Sequence, residues 1–195
     1  MSQSDTNEKK ICVFCSSSKN TNPKYYPYAE ELGKLFVRRK ITCVTGGGWD
    51  GCMGALNKSV YENGGKTIGV THELWVPKND TNYKKHKWID IELVGTGNDM
   101  ADRKRKMKDI SNGFIILPGG PGTFDELWEV ISDRILGFHN KPIVIVDVDN
   151  YYAGTKIQIK QACDDSILLK NIDEIVTFVS DPNEAVLKCT SDYNF

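Results

Sequence analysis

Between Lys10 and Cys189 the chain alternates short β-branched, apolar runs with longer segments of helical periodicity, and few architectures accommodate that rhythm. Strands are expected at residues 10–15 (KICVFC), 41–45 (ITCVT), 66–71 (KTIGVT), 88–94 (WIDIELV), 114–117 (FIIL), 142–148 (PIVIVDV) and 174–179 (EIVTFV). Helices are expected at 27–39, 52–63, 100–111, 125–137, 151–163 and 182–189. The strand segments read as continuous rather than alternating hydrophobics, as strands covered on both faces do. The expected fold class is therefore α/β: a doubly wound, mostly parallel, Rossmann-like sheet with helices on both faces. Residues 1–9 are expected to form a disordered polar tail and residues 10–195 a single domain.

Composition narrows the function classes. With 25 basic against 26 acidic side chains the formal net charge is −1, so nothing global favours nucleic acid or an anionic membrane. No apolar run approaches the roughly 20 residues of a membrane-spanning helix. The polar N-terminus carries no secretory h-region, and a cytoplasmic location is expected. Six cysteines (Cys12, Cys15, Cys43, Cys52, Cys163, Cys189) lack a second CxxC or CxxH pair, and the three histidines show no ligand spacing. Buried, inert thiols and no metal are the expectation. Residues 71–88 break the periodicity and read as a surface loop, able to act as a flap.

Two expected strands end in glycine clusters, each at the start of a helix: Gly46-Gly47-Gly48-Trp49-Asp50-Gly51 and Gly119-Gly120-Pro121-Gly122. Open α/β sheets bind ligands at the carboxyl ends of their strands. Glycine lets backbone N–H groups approach an anion, and a helix N-terminus adds roughly half a positive charge. A phosphate fits either place, which makes this a candidate nucleotide-binding domain. The first cluster contains G-x-G-x-x-G with Glu73 about 20 residues on, where dinucleotide folds place a ribose-binding acid. Alternatively, its glycines only permit a tight turn.

Thr123, Phe124, Asp125 and Glu126 follow the second cluster directly. Thr-x-x-Glu at a helix start also fits a capping box, with Thr123 as N-cap and Glu126 at N3. Against that, a carboxylate beside a phosphate loop is well placed to face the carbon that becomes positive when a glycosidic bond breaks. Upstream, Asp99–Ser111 carries four consecutive basic residues, Arg103 to Lys106, for which Asp99–Arg103 and Asp102–Lys106 pairing on a solvated face is the bland account. Because the helix follows another expected strand end, Arg103 could instead face the same crevice as a fixed positive group.

The pair "MADRK" and "PGGPGTFDE" resembles the M-x-x-R-K and P-G-G-x-G-T-x-x-E signatures of the Lonely Guy family, the cytokinin riboside 5'-monophosphate phosphoribohydrolases. "CVFCSSS", "TGGGWDGCMGALN" and "LGFHNKPIVIVDVDNYY" extend the resemblance over most of the chain. It implies hydrolysis of N6-substituted adenosine 5'-monophosphates, with AMP a further substrate, to free base and ribose 5-phosphate, without cofactor or metal. Arg103 and Glu126 look like the family's catalytic pair, and Gly119, Gly120, Pro121, Gly122 and Thr123 like its phosphate cradle. Lys104 and Ser132 look like further substrate contacts, and Phe124, Asp125, Gly46 and Gly47, at or beside the glycine clusters, are expected to contact substrate as well. A homodimer with sites near the interface is implied too. Ala101, Pro121 and Thr71-His72 depart from the family's usual residues and bear on specificity rather than on the Arg and Glu roles. Some relatives carry a lysine-decarboxylase label, but nothing here marks a pyridoxal-phosphate site. Two other readings stand beside this one: a non-catalytic nucleotide-binding or sensing module, and an NAD-dependent enzyme built on Gly46–Gly51 and Glu73.

Overall fold

A computed structural model describes residues 8–76, 87–168 and 170–191. Its strands are β1 (Lys10–Phe14), β2 (Thr42–Thr45), β3 (Thr67–His72), β4 (Ile91–Gly95), β5 (Gly113–Ile116), β6 (Ile143–Val146) and β7 (Thr177–Val179). Its helices are α1 (Tyr26–Arg38), α2 (Gly51–Glu62), α3 (Ala101–Ile110), α4 (Pro121–Ile135), α5 (Ala153–Asp164), the short α6 (Ile172–Ile175) and α7 (Pro182–Thr190). The strands form one seven-stranded sheet in the order β4-β3-β2-β1-β5-β6-β7. Every pairing is parallel.

Alternation along each strand sends neighbouring side chains to opposite faces, and each face has its own core. Ile11, Val13 and Cys15 pack with Leu32, Phe36, Leu56, Val60 and Val186, under α1, α2 and α7. Cys12 and Phe14 pack with Met107, Leu127, Val130, Ile131 and Ile159, under α3, α4 and α5. Full burial of such side chains contributes about 1.5–3 kcal/mol each, so both helical layers hold the sheet. All six cysteines are free thiols, and burial pushes the Cys12 and Cys15 thiols well above their ordinary value. Helices α1 and α2 approach closely because Gly33 faces Ser59, whose hydroxyl donates to the Glu30 carbonyl at 2.6 Å.

Three expectations shift in detail. The segment 174–179 divides, because Asn171 and Glu174 form a reciprocal capping box that winds Ile172–Ile175 into a helical turn before β7. The expected helix at 125–137 starts earlier, at Pro121, with Gly120 as its N-cap and no side-chain cap. Proline's fixed φ suits the first helical position. Thr123 and Glu126 therefore lie inside α4, and the capping box, the alternative reading of this pair, does not form. Of the expected tail, residues 1–7 lie outside the described residues, while Thr42 Oγ1 donates to Glu8 Oε1 at 2.6 Å and Lys9 Nζ to the Thr190 carbonyl at 2.6 Å. Most of the expected flap, residues 77–86, also lies outside the described residues.

Strand order reverses between β1 and β5. The chain winds outward from β1 to β4 on one side, returns to pair β5 with β1, and winds outward again. Connections leaving the carboxyl ends of β1 and β5 therefore diverge and open a crevice. A Cβ added at Gly33 would lie 2.7 Å from Ser59 Cβ. Gly33→Val is expected to cost about 1–3 kcal/mol through forced separation of α1 from α2, read as a lower midpoint in denaturant unfolding.

Candidate active site

The crevice holds a cavity of about 360 Å³ walled by the β1 loop, α3 and the start of α4. Ser16, Ser17 and Ser18 line it from the β1 side, where the Ser16 N–H donates to the Pro118 carbonyl at 3.0 Å and the Met53 N–H donates to the Ser16 carbonyl at 3.0 Å. These bonds clamp the first loop to the second and to α2. From the β5 side come Gly120, Pro121, Gly122 and Thr123, the first turn of α4 and its cap. The orphan N–H groups of a fifteen-residue helix point toward an anion placed here. A Cβ at Gly120 or Gly122 would meet nothing within 4 Å, so space over this turn is open to a ligand.

Arg103 and Glu126 form the floor. Only 8 % of Arg103 and 9 % of Glu126 is exposed, so both charges are largely withdrawn from water. Arg103 Nη1 donates to Glu126 Oε1 at 3.2 Å, and Nε donates to the Val70 carbonyl at 2.7 Å. The guanidinium fits because two glycines make room. A Cβ at Gly46 would lie 2.1 Å from Nη2, and one at Gly95 would lie 2.6 Å from Arg103 Cβ. Burial raises the Glu126 carboxyl from its ordinary 4.5 to about 7, although Arg103 pulls against the shift.

An ion-pair ladder couples the helices that carry this pair. Lys104 Nζ meets Asp125 at 2.9 Å and Glu129 at 2.5 Å; Lys108 Nζ meets Glu129 at 2.6 Å and Asp133 at 2.6 Å. Because α3 carries Arg103 and α4 carries Glu126, the ladder fixes the register in which they meet. Desolvation pulls the Lys104 ammonium down, but its bonds to Glu129 and Asp125 more than offset this, so it ends above its ordinary value. Asp102 pairs with Lys106, as the spacing suggested. Asp99 does not pair with Arg103; its carboxylate accepts from the Ala101 N–H at 2.8 Å, and Arg103 turns inward.

The cavity thus brings together Arg103, Lys104, Gly120, Pro121, Gly122, Thr123, Asp125 and Glu126. Other expected contacts sit elsewhere. Gly119 does not line the cavity but lies against residues that do, since a Cβ there would fall 2.2 Å from Thr123 Oγ1 and 3.0 Å from Ser16 N, and its carbonyl accepts from the Tyr151 hydroxyl at 2.6 Å. Phe124, partly buried, packs against the core edge-on to Tyr152, with ring centroids 6.3 Å apart. Ser132 is exposed on the outer face of α4. Gly46 and Gly47 do not line the cavity, and Gly46 is occupied in admitting Arg103. Glu73, the expected ribose acid of a dinucleotide fold, accepts from the Gly97 N–H at 3.0 Å. Sequence reasoning missed Ser16–Ser18, Met53, Trp75 and Met100 as cavity walls. For the serines a signal existed: the first strand of a doubly wound sheet is commonly central, and "CSSS" directly follows it.

Comparison with known proteins places the chain in a family. A family described as "Possible lysine decarboxylase" matches residues 53–189. A cytokinin riboside 5'-monophosphate phosphoribohydrolase of Arabidopsis thaliana is 37 % identical over 183 residues, covering 94 % of this chain and 81 % of that protein. The chain belongs to the Lonely Guy family. A probable member of the family from Oryza sativa subsp. japonica, bearing the same activity name, is 37 % identical over 183 residues, 92 % of this chain and 70 % of that protein. Among solved structures, the molybdenum cofactor carrier protein of Chlamydomonas reinhardtii has the same fold, with a TM-score of 0.64 at 23 % identity over 92 % of this chain and 94 % of that one.

Because the folded Glu126 carboxyl is raised from 4.5 to about 7, its contribution to stability is fully present below pH 4.5 and is lost as pH rises through about 7. Glu126→Gln removes that dependence. From pH 4 to pH 8.5 the native protein should lose on the order of 3 kcal/mol relative to the variant, read by denaturant unfolding at each pH.

Proposed function

We propose that this Lonely Guy family protein hydrolyses the N-glycosidic bond of N6-substituted adenosine 5'-monophosphates, and of AMP, to free base and ribose 5-phosphate. The observation that carries the reading is the buried Arg103–Glu126 pair, set in a cavity whose rim is the N-terminal turn of α4. The activity names of relatives at 37 % identity over most of the chain support it.

The 5'-phosphate sits on Gly120–Thr123, where helix N–H groups and the serine loop offer donors. Glu126, within α4, then faces C1' of the ribose. As the C1'–N9 bond lengthens, its electron pair passes to N9 and positive charge grows on the sugar, which the Glu126 carboxylate stabilises. Water adds its oxygen to C1'. One water proton passes to Glu126 and on to solvent, and N9 takes a proton from solvent. Arg103 cannot give up its proton at neutral pH, so it orients the carboxylate and keeps its charge. A decarboxylase reading finds less support: a lysine that forms a Schiff base needs a lowered pKa, whereas Lys104 is raised and held by two carboxylates.

The homodimer also belongs to this reading. Trp128, Ser132 and Leu136 follow one another at i, i+4 and i+8 on the outer side of α4, and the exposed Phe138 comes just beyond. A second copy covering this stripe accounts for its apolar character, and Ser132 would contact substrate only across such an interface. Six free thiols are consistent with a reducing, cytoplasmic compartment.

Chromatography of AMP and N6-isopentenyl-AMP after incubation should show free base and ribose 5-phosphate. Glu126→Gln, with folding intact, should lower the rate by about 10²–10⁴-fold. Native kcat/KM should rise with pH along a limb near 7 as Glu126 ionises, and that limb should vanish in the variant. Intact nucleotides in a folded, nucleotide-binding sample would remove the hydrolase reading and leave a binding module. For the interface, Phe138→Glu is expected to convert a dimer into a monomer by sedimentation.

A further inference from the structure

The cavity is chemically divided. Serines and the α4 turn supply polar groups to its lining, while Met53, Met100 and Trp75 supply apolar surface, and Trp75 is the aromatic member of the lining. Trp75 is 59 % exposed, yet its turn, Glu73–Trp75, is anchored on several sides. The fully buried His72 accepts at Nδ1 from the Leu74 N–H at 3.1 Å, and its ring meets the indole edge-on with centroids 6.2 Å apart. Glu73 accepts from Gly97 in the loop that leads into α3. Arg103 Cζ lies 5.8 Å from the indole centroid while its Nη1 holds Glu126. A large aromatic face is thus fixed at the cavity, one guanidinium away from the carboxylate.

We propose that Trp75 is the specificity-determining platform on which the purine of the bound nucleotide stacks. The inference rests on the hydrolase reading above for the orientation of the nucleotide. With the phosphate on the α4 turn and C1' at Glu126, the aromatic surface next to that carboxylate is Trp75, whose indole lies 5.8 Å from the Arg103 Cζ that holds Glu126. Stacking uses the π-face of a base and leaves its edge substituents free. Because much of the indole is open to solvent, an N6 chain projects past its rim without a clash. The platform therefore selects for a planar base and tolerates AMP and N6-substituted forms alike.

The test compares ligands with and without the base. Steady-state hydrolysis of AMP and N6-isopentenyl-AMP is measured for the native protein, Trp75→Ala and Trp75→Phe, with ribose 5-phosphate as a competitive inhibitor that keeps sugar and phosphate. In Trp75→Ala, KM for both nucleotides should rise about tenfold, kcat should change less than about threefold, and Ki for ribose 5-phosphate should not move. Trp75→Phe should recover most of the loss. An unchanged KM overturns the proposal, and so does a Ki that rises in parallel with KM, because that marks general distortion of the cavity. If the native protein turns over neither nucleotide, calorimetric Kd values for AMP and ribose 5-phosphate replace KM and Ki. Selective weakening of AMP in Trp75→Ala then upholds the platform although the hydrolase reading has failed, and equal Kd shifts overturn it.

Discussion

The contact between Arg103 and Glu126 is the constraint on which the architecture around the crevice depends. Withdrawing both charges from water is unfavourable, and their attraction offsets that cost only with good geometry and further hydrogen bonds. The fold supplies both. Val70 offers its carbonyl to Nε, and Gly46 and Gly95 leave the volume that the side chain fills. The residual penalty shows in Glu126, whose carboxyl is raised to about 7. A carboxyl raised by burial is a liability to the folded state near neutral pH, and perturbed groups of this kind cluster at functional sites.

Helices α3 and α4 inherit a task from that contact. Neither needs the Lys104–Glu129–Lys108–Asp133 ladder to be helical, and partly exposed ion pairs contribute little to stability singly. Their value is registry. A ladder of four contacts between 2.5 and 2.9 Å fixes one helix along the other, and with it the 3.2 Å contact at the cavity floor. The clamp between the Ser16 loop, Pro118 and Met53 does the same for the opposite wall. The α4 turn, the carboxylate and the indole thus stand on packed elements, which would lower the entropy lost when a ligand is positioned.

Much of this was legible in residue order. Continuous apolar runs separated by helical periods fix a parallel sheet, because only strands covered on both faces read that way. The glycine cluster at 119–122 followed by an acidic helix marks an anion site with a carboxylate beside it. Local signals left two readings open where two motifs share one spacing. Thr123 to Glu126 reads as a capping box, yet Pro121 starts the helix first and turns the same glutamate inward. Asp99 and Arg103 read as a surface pair, yet Gly46 and Gly95 open a buried place for the arginine.

The sequence by itself determined the fold class, the positions of the two glycine loops and the presence of an arginine and a glutamate able to act together. Tertiary structure decided which of their competing roles is taken. Arg103 meets Val70 and Glu126 across sequence separations of 33 and 23 residues, and Trp75 reaches the same cavity from the far end of β3. Such contacts follow from strand order and from the volume that packing leaves open, and neither is written in the spacing of any single segment.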